Sequence, residues 1–266
     1  YTLMHVGALP DSGLDLASPG PLDVLAIQQI YGANMAYHAG NDEYLIGPYN
    51  VPGSTYFGSI YKTLWDAGGT DTIRLNGVID GRGSGLGATV DLRPGIGFVQ
   101  GDISVPGGVP YSVHTSAYVF TFSMTRTAIA YNVIIENAVG TQFNDSLTGN
   151  DADNSLTGGA GSDFLDGGAG TDTAAYAAAS VGVVVEIWKG IASKDGQGGV
   201  DTLVSIENVE GGSFNDFLEG NDGPNRLEGA EGNDTLNGSF GVDTVIGSSG
   251  ERSTRSGVTR KRALEE

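Results

Sequence analysis

A nine-residue step governs this chain. From Gly140 it reads G-T-Q-F-N-D-S-L-T, G-N-D-A-D-N-S-L-T, G-G-A-G-S-D-F-L-D and G-G-A-G-T-D-T-A-A. Asp145, Asn154, Asp163 and Asp172 recur at that step, as do Leu147, Leu156 and Leu165. The pattern returns from Gly211 to Gly247, where Asp216, Asn225, Asp234 and Asp243 each follow their first-array counterpart by 71 residues. The same offset carries Ile135-Glu136-Asn137 onto Ile206-Glu207-Asn208, so one long unit is duplicated. A repeat this short cannot bury an apolar face alone, and its copies must stack on one another.

Within one nonapeptide the first six residues suit a turn and the last three a short strand. Strand side chains alternate faces, so one apolar residue per repeat points inward. Two nonapeptides complete one coil of a flattened roll. Asp145 and Asp163 are then expected on one edge, Asn154 and Asp172 on the other. The carboxylates and the turn carbonyls, among them those of Gly159, Gly161, Gly168 and Gly232, converge between stacked turns. A hard cation there collects about six to eight oxygens, which suits calcium better than magnesium. The fold class expected is mostly β: a right-handed parallel β-roll, or β-solenoid, with one short N-terminal helix.

The charge balance agrees. Aspartate and glutamate number 32 against 13 lysines and arginines, and the formal net charge is −19. Clustered carboxylates with few cations repel one another until a metal binds. Nucleic acid is excluded as a partner, because phosphates need basic contacts. There is no cysteine, so a metal is the available staple. No apolar run reaches membrane-spanning length. The chain starts at Tyr1 with neither initiator Met nor signal peptide, which reads as a fragment or a processed product.

The helix is expected over Pro21–Tyr31, P-L-D-V-L-A-I-Q-Q-I-Y, with Pro21 in its first turn, Asp23 near its positive end and Gly32 closing it. Further on come H-A-G-N-D-E-Y, W-D-A-G-G-T-D-T and I-A-Y-N-V-I-I-E-N-A-V-G. These blocks, in this order with the nonapeptides, resemble the C-terminal RTX-type region of the serralysins, secreted bacterial zinc metalloendopeptidases of the metzincin group. The resemblance runs from Tyr1 to about Gly247. It implies a parallel β-roll that binds several calcium ions and accompanies type I secretion. Extracellular localisation, an upstream protease domain and a monomeric state follow as expectations.

The resemblance also implies ligands outside the arrays. One site would use the carbonyls of His38, Gly40 and Gly68 with the side chains of Asp42, Asp66 and Asp71. A second would join Gly69 and Asp71 to the Ile134 carbonyl and Glu136. Its duplicate would use Gly170, Asp172, the Ser205 carbonyl and Glu207. The turns G-G-T-D-T at 68–72 and G-A-G-T-D-T at 168–173 are alike, and strands V-D-L at Val90–Leu92 and V-E-I at Val185–Ile187 are expected after them.

A metzincin needs H-E-x-x-H-x-x-G-x-x-H to hold zinc. This chain has only His5, His38 and His114, none so spaced. Zinc is therefore expected only in a catalytic part upstream. Y-T-L-M resembles the family's methionine turn, so Met4 would be its remnant, with Val6 where the family has tyrosine. The domain reading is 1–35 as that remnant plus the linking helix, 36–250 as the calcium-binding domain, and 251–266 as a basic, disordered tail. Gly81–Gly87 reads as a flexible connection, and the alternating Tyr118, Phe120, Phe122 and Met124 as a strand. Two other functions fit less of the sequence. A self-sufficient hydrolase lacks a visible nucleophile, base or zinc triad. A stand-alone module for polysaccharide binding or adhesion is the alternative.

Overall fold

The computed structural model describes residues 38–46, 62–64, 66–75, 78–79, 85–95, 98–101, 112–115, 118–121, 126–247, 252–253 and 259–262. The expected helix over Pro21–Tyr31, together with Met4, His5 and Val6, lies outside them. The chain divides into two compact units, Tyr1–Ile135 and Glu136–Glu266.

The first unit carries β1 (Glu43–Ile46), β2 (Lys62–Leu64), β3 (Thr72–Leu75), β4 (Val78–Ile79), β5 (Gly85–Leu86), β6 (Ala88–Asp91), β7 (Phe98–Gly101), β8 (Ser112–Thr115), β9 (Tyr118–Thr121) and β10 (Arg126–Ile129). β1 pairs with β3 and β2 with β10, both in parallel. β7 lies antiparallel between β6 and β10. Two hairpins complete the unit. β4–β5 takes up part of the stretch expected as a flexible connection, and β8–β9 contains the first half of the alternating aromatic run. Ile73, Val90, Leu92, Ile129 and Ile135 are fully buried.

The second unit carries β11 (Asn137–Val139), β12 (Ser146–Thr148), β13 (Ser155–Thr157), β14 (Phe164–Asp166), β15 (Thr173–Ala175), β16 (Val184–Glu186), β17 (Ile191–Lys194), β18 (Asp201–Val204) and β19 (Asn208–Glu210). β20 (Phe217–Glu219), β21 (Arg226–Glu228), β22 (Thr235–Asn237), β23 (Thr244–Gly247), β24 (Arg252–Ser253) and β25 (Thr259–Arg262) follow. Successive strands alternate between two ladders. One runs β11-β13-β15-β19-β21-β23-β25, parallel throughout. The other runs β12-β14-β18-β17-β16-β20-β22-β24, parallel except where β17 runs antiparallel to both its neighbours.

Three-residue strands suffice because each carries one inward residue. Leu147 faces Leu165, Leu218 faces Leu236, and Leu227 faces Val245 across the ladders. All of these are buried, and the flanking residues are not. The 71-residue step carries β11 to β15 onto β19 to β23. Between the arrays, β16 ends at Glu186, one residue short of the expected V-E-I strand. Ile187–Lys189 instead form a 3₁₀ turn closed by Gly190 at φ 69°. Gly190 turns the chain back into β17.

The ladders continue into the basic segment 251–266, through β24 and β25. Composition sets this segment apart from the repeats. Backbone pairing, however, asks only for an open sheet edge. No helix among the described residues is long and apolar enough to cross a membrane.

Candidate metal sites

Each nonapeptide turn ends on a buried Asp or Asn, and most of these side chains bond the backbone of a neighbouring turn. The amide of Asp145 donates to Asp163 Oδ1 at 2.8 Å, and that of Asn154 to Asp172 Oδ1 at 2.7 Å. In the second array Asp216 donates to Asp234 Oδ1 at 2.8 Å and Asn225 to Asp243 Oδ1 at 3.0 Å. The nine-residue step thus brings Asp145 onto Asp163 and Asn154 onto Asp172, two repeats apart. Turn backbones rest on one another with the same spacing. A Cβ on Gly168 would come within 2.8 Å of the Asn150 carbonyl oxygen; Gly170 and Gly232 meet the Ala152 and Phe214 carbonyls at 2.6 Å.

The turns fall into two kinds. In the first two of each array, the side chain folds back on its own turn. Asn154 Oδ1 accepts from the Asn150 amide at 2.7 Å, Asp216 Oδ2 from Gly212 at 2.8 Å and Asn225 Oδ1 from Asn221 at 2.8 Å; Thr141 serves Asp145 likewise. In the last two, the residue four before the acid has positive φ: Gly159 at 100°, Gly168 at 90°, Ala230 at 58° and Ser239 at 69°. That rotation turns its N–H away. The Oδ2 atoms of Asp163, Asp172 and Asp243 are buried and have no hydrogen-bond donor.

An ionised oxygen buried without a donor is costly. Burial pushes the Asp163 carboxyl up to about 7; the Asp145 amide opposes this, and the Asp201, Asp145 and Asp195 charges add to it. Burial likewise takes Asp172 up to about 6, against the Asn154 amide and with the Glu207 charge. Asp216 moves in the same direction, burial again leading.

Of the residues expected at the duplicated site, Ser205 and Glu207 lie beside Asp172. The Asp172 amide donates to Glu207 Oε2 at 2.9 Å. A Cβ on Gly167 would overlap the Ser205 carbonyl oxygen and lie 2.5 Å from Asp172 Oδ2, so both oxygens rest close against Gly167. Ser205 holds φ 50°. The Glu136 and Glu207 carbonyls accept from Asn154 Nδ2 at 3.0 Å and Asn225 Nδ2 at 2.8 Å, which repeats the 71-residue relation in hydrogen bonds.

In the first unit, Asp42, Asp66 and Asp71 each offer a carboxylate oxygen within 4.8 Å of the others. Asp66 and Asp71 are buried, and Asp42 is half-buried. Asp71 Oδ1 accepts from the Asp42 amide at 2.8 Å, and Asp66 Oδ1 from Gly68 at 2.7 Å. A Cβ on Gly69 would overlap the Gly40 carbonyl oxygen and sit 3.1 Å from Asp71 Oδ1. The His38 carbonyl accepts from Ala67 at 3.2 Å, and its Nδ1 lies 3.2 Å from Asp42. Tyr44 donates its hydroxyl to Asp66, and burial with that bond pushes the phenol far up. Ile134 is half-exposed.

Asp195, Asp201 and Tyr176 were missed by sequence reasoning. Asp201 continues the Asp145–Asp163 stack, accepting from the Asp163 amide at 3.0 Å and from the Tyr176 hydroxyl at 3.1 Å. Burial lifts its carboxyl to about 6. The available signal was G-Q-G-G-V-D-T-L-V at 196–204, a nonapeptide displaced 38 residues from Asp163.

Comparison with known proteins agrees with this chemistry. The family model for the RTX calcium-binding nonapeptide repeat (4 copies) matches residues 139–174 and 210–245. The chain is 34% identical over 158 residues to Serralysin B of Dickeya chrysanthemi, covering 55% of this chain and 27% of that protein. It is 36% identical over 130 residues to Serralysin C of the same organism (47% and 22%), and 32% over 136 residues to Serralysin of Proteus mirabilis (49% and 22%). The chain spans about a quarter of the length of these relatives. It carries calcium-binding RTX repeats in a region similar to part of the serralysin-like proteases.

Proposed function

We propose that this chain is the calcium-binding domain of a secreted zinc metalloendopeptidase of the serralysin kind. Its ladders are read as the two faces of a right-handed parallel β-roll that folds on calcium after export and stabilises the attached protease. The observation that carries this reading is the row of buried turn oxygens, on Asp163, Asp172 and Asp243, that no protein donor satisfies.

The donor set fits a hard divalent cation. Carboxylates and carbonyls are its only ligand types, and oxygen-rich, adaptable coordination is what calcium takes. Bound calcium supplies the positive charge that these oxygens lack. The candidate ligands are Asp145, Asn154, Asp163, Asp172, Asp216, Asn225, Asp234 and Asp243, with the turn carbonyls of Gly159, Gly161, Gly168, Gly170 and Gly232. Asp42, Asp66 and Asp71 with the His38, Gly40 and Gly68 carbonyls form a separate candidate set. Gly170 and Asp172, with the Ser205 carbonyl and Glu207, complete the proposal.

The chain's own residues then control when it folds. Where calcium is scarce, repulsion among these carboxylates holds the chain loose and exportable. Outside the cell, sites of the extracellular class bind at roughly 10⁻⁴ to 10⁻³ M and fill. Binding only the folded form stabilises it by mass action. The partners proposed are calcium, an upstream protease domain that holds the zinc, and the type I secretion machinery.

Circular dichroism of the full chain during a calcium titration tests this. A cooperative rise in β signal, reversed by EGTA, is the expected result. A chain equally ordered with and without EGTA would overturn the reading.

A further inference from the structure

A cleft of about 700 Å³ opens on the second unit, lined by Trp188, Glu219, Asn221, Asp222, Gly223 and Ser239. Trp188 comes from the 3₁₀ turn that follows β16, Glu219 ends β20, and Ser239 lies just past β22. β16 pairs with β20 and β20 with β22, so the cleft crosses three neighbouring strands. Paired strands lie about 4.8 Å apart, which gives it a span of roughly 10 Å.

Trp188 is 56% exposed. Its Nε1 donates to Glu219 Oε2 at 2.8 Å, and Asn237 Nδ2 donates to Glu219 Oε1 at 2.8 Å. The only polar atom of the indole is thus satisfied within the protein, and the ring is held in one orientation. What it offers to the cleft is apolar surface. Lys189 Nζ lies 4.7 Å from the ring centroid and pairs with Glu186, so a cation already sits over this ring.

The other groups around the cleft are polar and uncommitted. Asn221 Oδ1 accepts from the Gly223 amide at 2.8 Å and from Asn225 Nδ2 at 3.3 Å, which leaves its own Nδ2 to donate. Ser239 reaches Asn237 Oδ1 through its amide, at 3.2 Å, and keeps its hydroxyl. Asp222 is exposed and adds an acceptor. An apolar ring beside a donor, an acceptor and a hydroxyl matches a sugar, which has a C–H face and a rim of hydroxyls that both donate and accept. Acidic polymers are repelled by Asp222 and Glu219 and by the net charge of −19. A basic peptide finds only Asp222 open to it, because both Glu219 oxygens are engaged and Lys189 occupies the ring.

We propose that this cleft binds a neutral glycan, with a sugar ring stacked on Trp188 and its hydroxyls bonded to Asn221 Nδ2, Asp222 and the Ser239 hydroxyl. Glu219 is a positioning residue that orients the indole. The site uses none of the candidate metal ligands, so it stands or falls apart from the calcium reading.

Affinity electrophoresis of the full chain in calcium, through gels containing hydroxyethylcellulose, laminarin or mannan, tests this. At least one of these neutral polymers is expected to retard the wild-type chain. Trp188→Ala is expected to weaken that binding by roughly tenfold or more, and Trp188→Phe to restore part of it. Retardation by none of the three polymers would overturn the proposal, as would equal retardation of wild type and a folded Trp188→Ala chain. Binding of oligolysine without binding of any neutral polymer would assign the cleft to a basic peptide instead. Should Trp188→Ala fail to fold, the indole N–H resonance of Trp188 in the wild-type chain decides the matter. A shift on adding a retarding glycan supports the site, and no shift refutes it.

Discussion

The two arrays are copies in their strands and strangers in their turns. Both ladders bury the same leucine step, and β12–β15 map onto β20–β23 at 71 residues. The surroundings of those strands differ. In the first array the stack Asp145–Asp163 continues to Asp201, and a loop carrying the buried Asp195 leads into it. In the second the stack runs Val183–Asp216–Asp234, with the Val183 amide donating to Asp216 Oδ1 at 2.8 Å. The open turns of the first array use Gly159 and Gly168, whereas those of the second use Ala230 and Ser239. The core repeat is indifferent to the chain beyond its adjacent coils, because each coil packs only on the coils beside it. The turn chemistry is free to drift, provided an oxygen remains where the turn needs one.

The largest test of that equivalence lies in the core. Leu165 and Leu236 are buried at matching positions, each facing a leucine in the next strand. Leu165→Ala and Leu236→Ala are each expected to cost about 2–5 kcal/mol. Denaturant unfolding of the full chain in saturating calcium measures both. Similar losses keep the arrays as equal copies. A difference well beyond ~1 kcal/mol would mean that loop 195–201 braces the first core in a way the second lacks.

The strands and their pairing were legible because one rule, a buried residue every nine positions, runs through them. Asp145 onto Asp163 and Asn154 onto Asp172 follow from the same count. Three things were not legible. The insertion of β16, the 3₁₀ turn and β17 moves the next acid of the stack from 18 to 38 residues away, so a periodic scan passes over Asp201. Asp195 stands outside every register, and the three amides that converge on it are seen only in the fold. The division into two kinds of turn depends on the sign of φ at a single residue. Gly159 suggests positive φ by its identity, but Ala230 and Ser239 do not. Ile187 was expected as strand; Gly190 in the left-handed region turns the chain one residue sooner.

Acidity offers a second, smaller contrast. Asp163 is pushed to about 7 and Asp172 and Asp201 to about 6, all chiefly by burial, from an ordinary value of 3.8. A raised carboxyl binds its proton more tightly in the folded state. Its unfavourable contribution is absent below the unfolded value, grows as pH rises, and is complete above the folded value. Without calcium, the first array is therefore expected to lose protection as pH goes from about 4 to about 7. Calcium selects the ionised form, so in its presence the slope should reverse. Hydrogen exchange resolved by array, in EGTA and in calcium at about pH 5 and about pH 8, reads the sign directly. Protection that rises with pH in EGTA would contradict the burial argument.

The smallest effect concerns the second array alone. Ala230 at φ 58° and Ser239 at φ 69° sit where a side chain is strained by about 1–2 kcal/mol and glycine is not. Replacing either by glycine removes that strain but adds freedom to the unfolded chain, which returns roughly 0.5–1 kcal/mol of the gain. Ala230→Gly and Ser239→Gly are each expected to stabilise the ion-loaded chain by up to about 1 kcal/mol, seen as a small rise in the unfolding midpoint. The sign matters more than the size. Destabilisation would mean that a Cβ at these positions supports the turn, so the second array would hold its open oxygens by packing where the first holds them by backbone freedom.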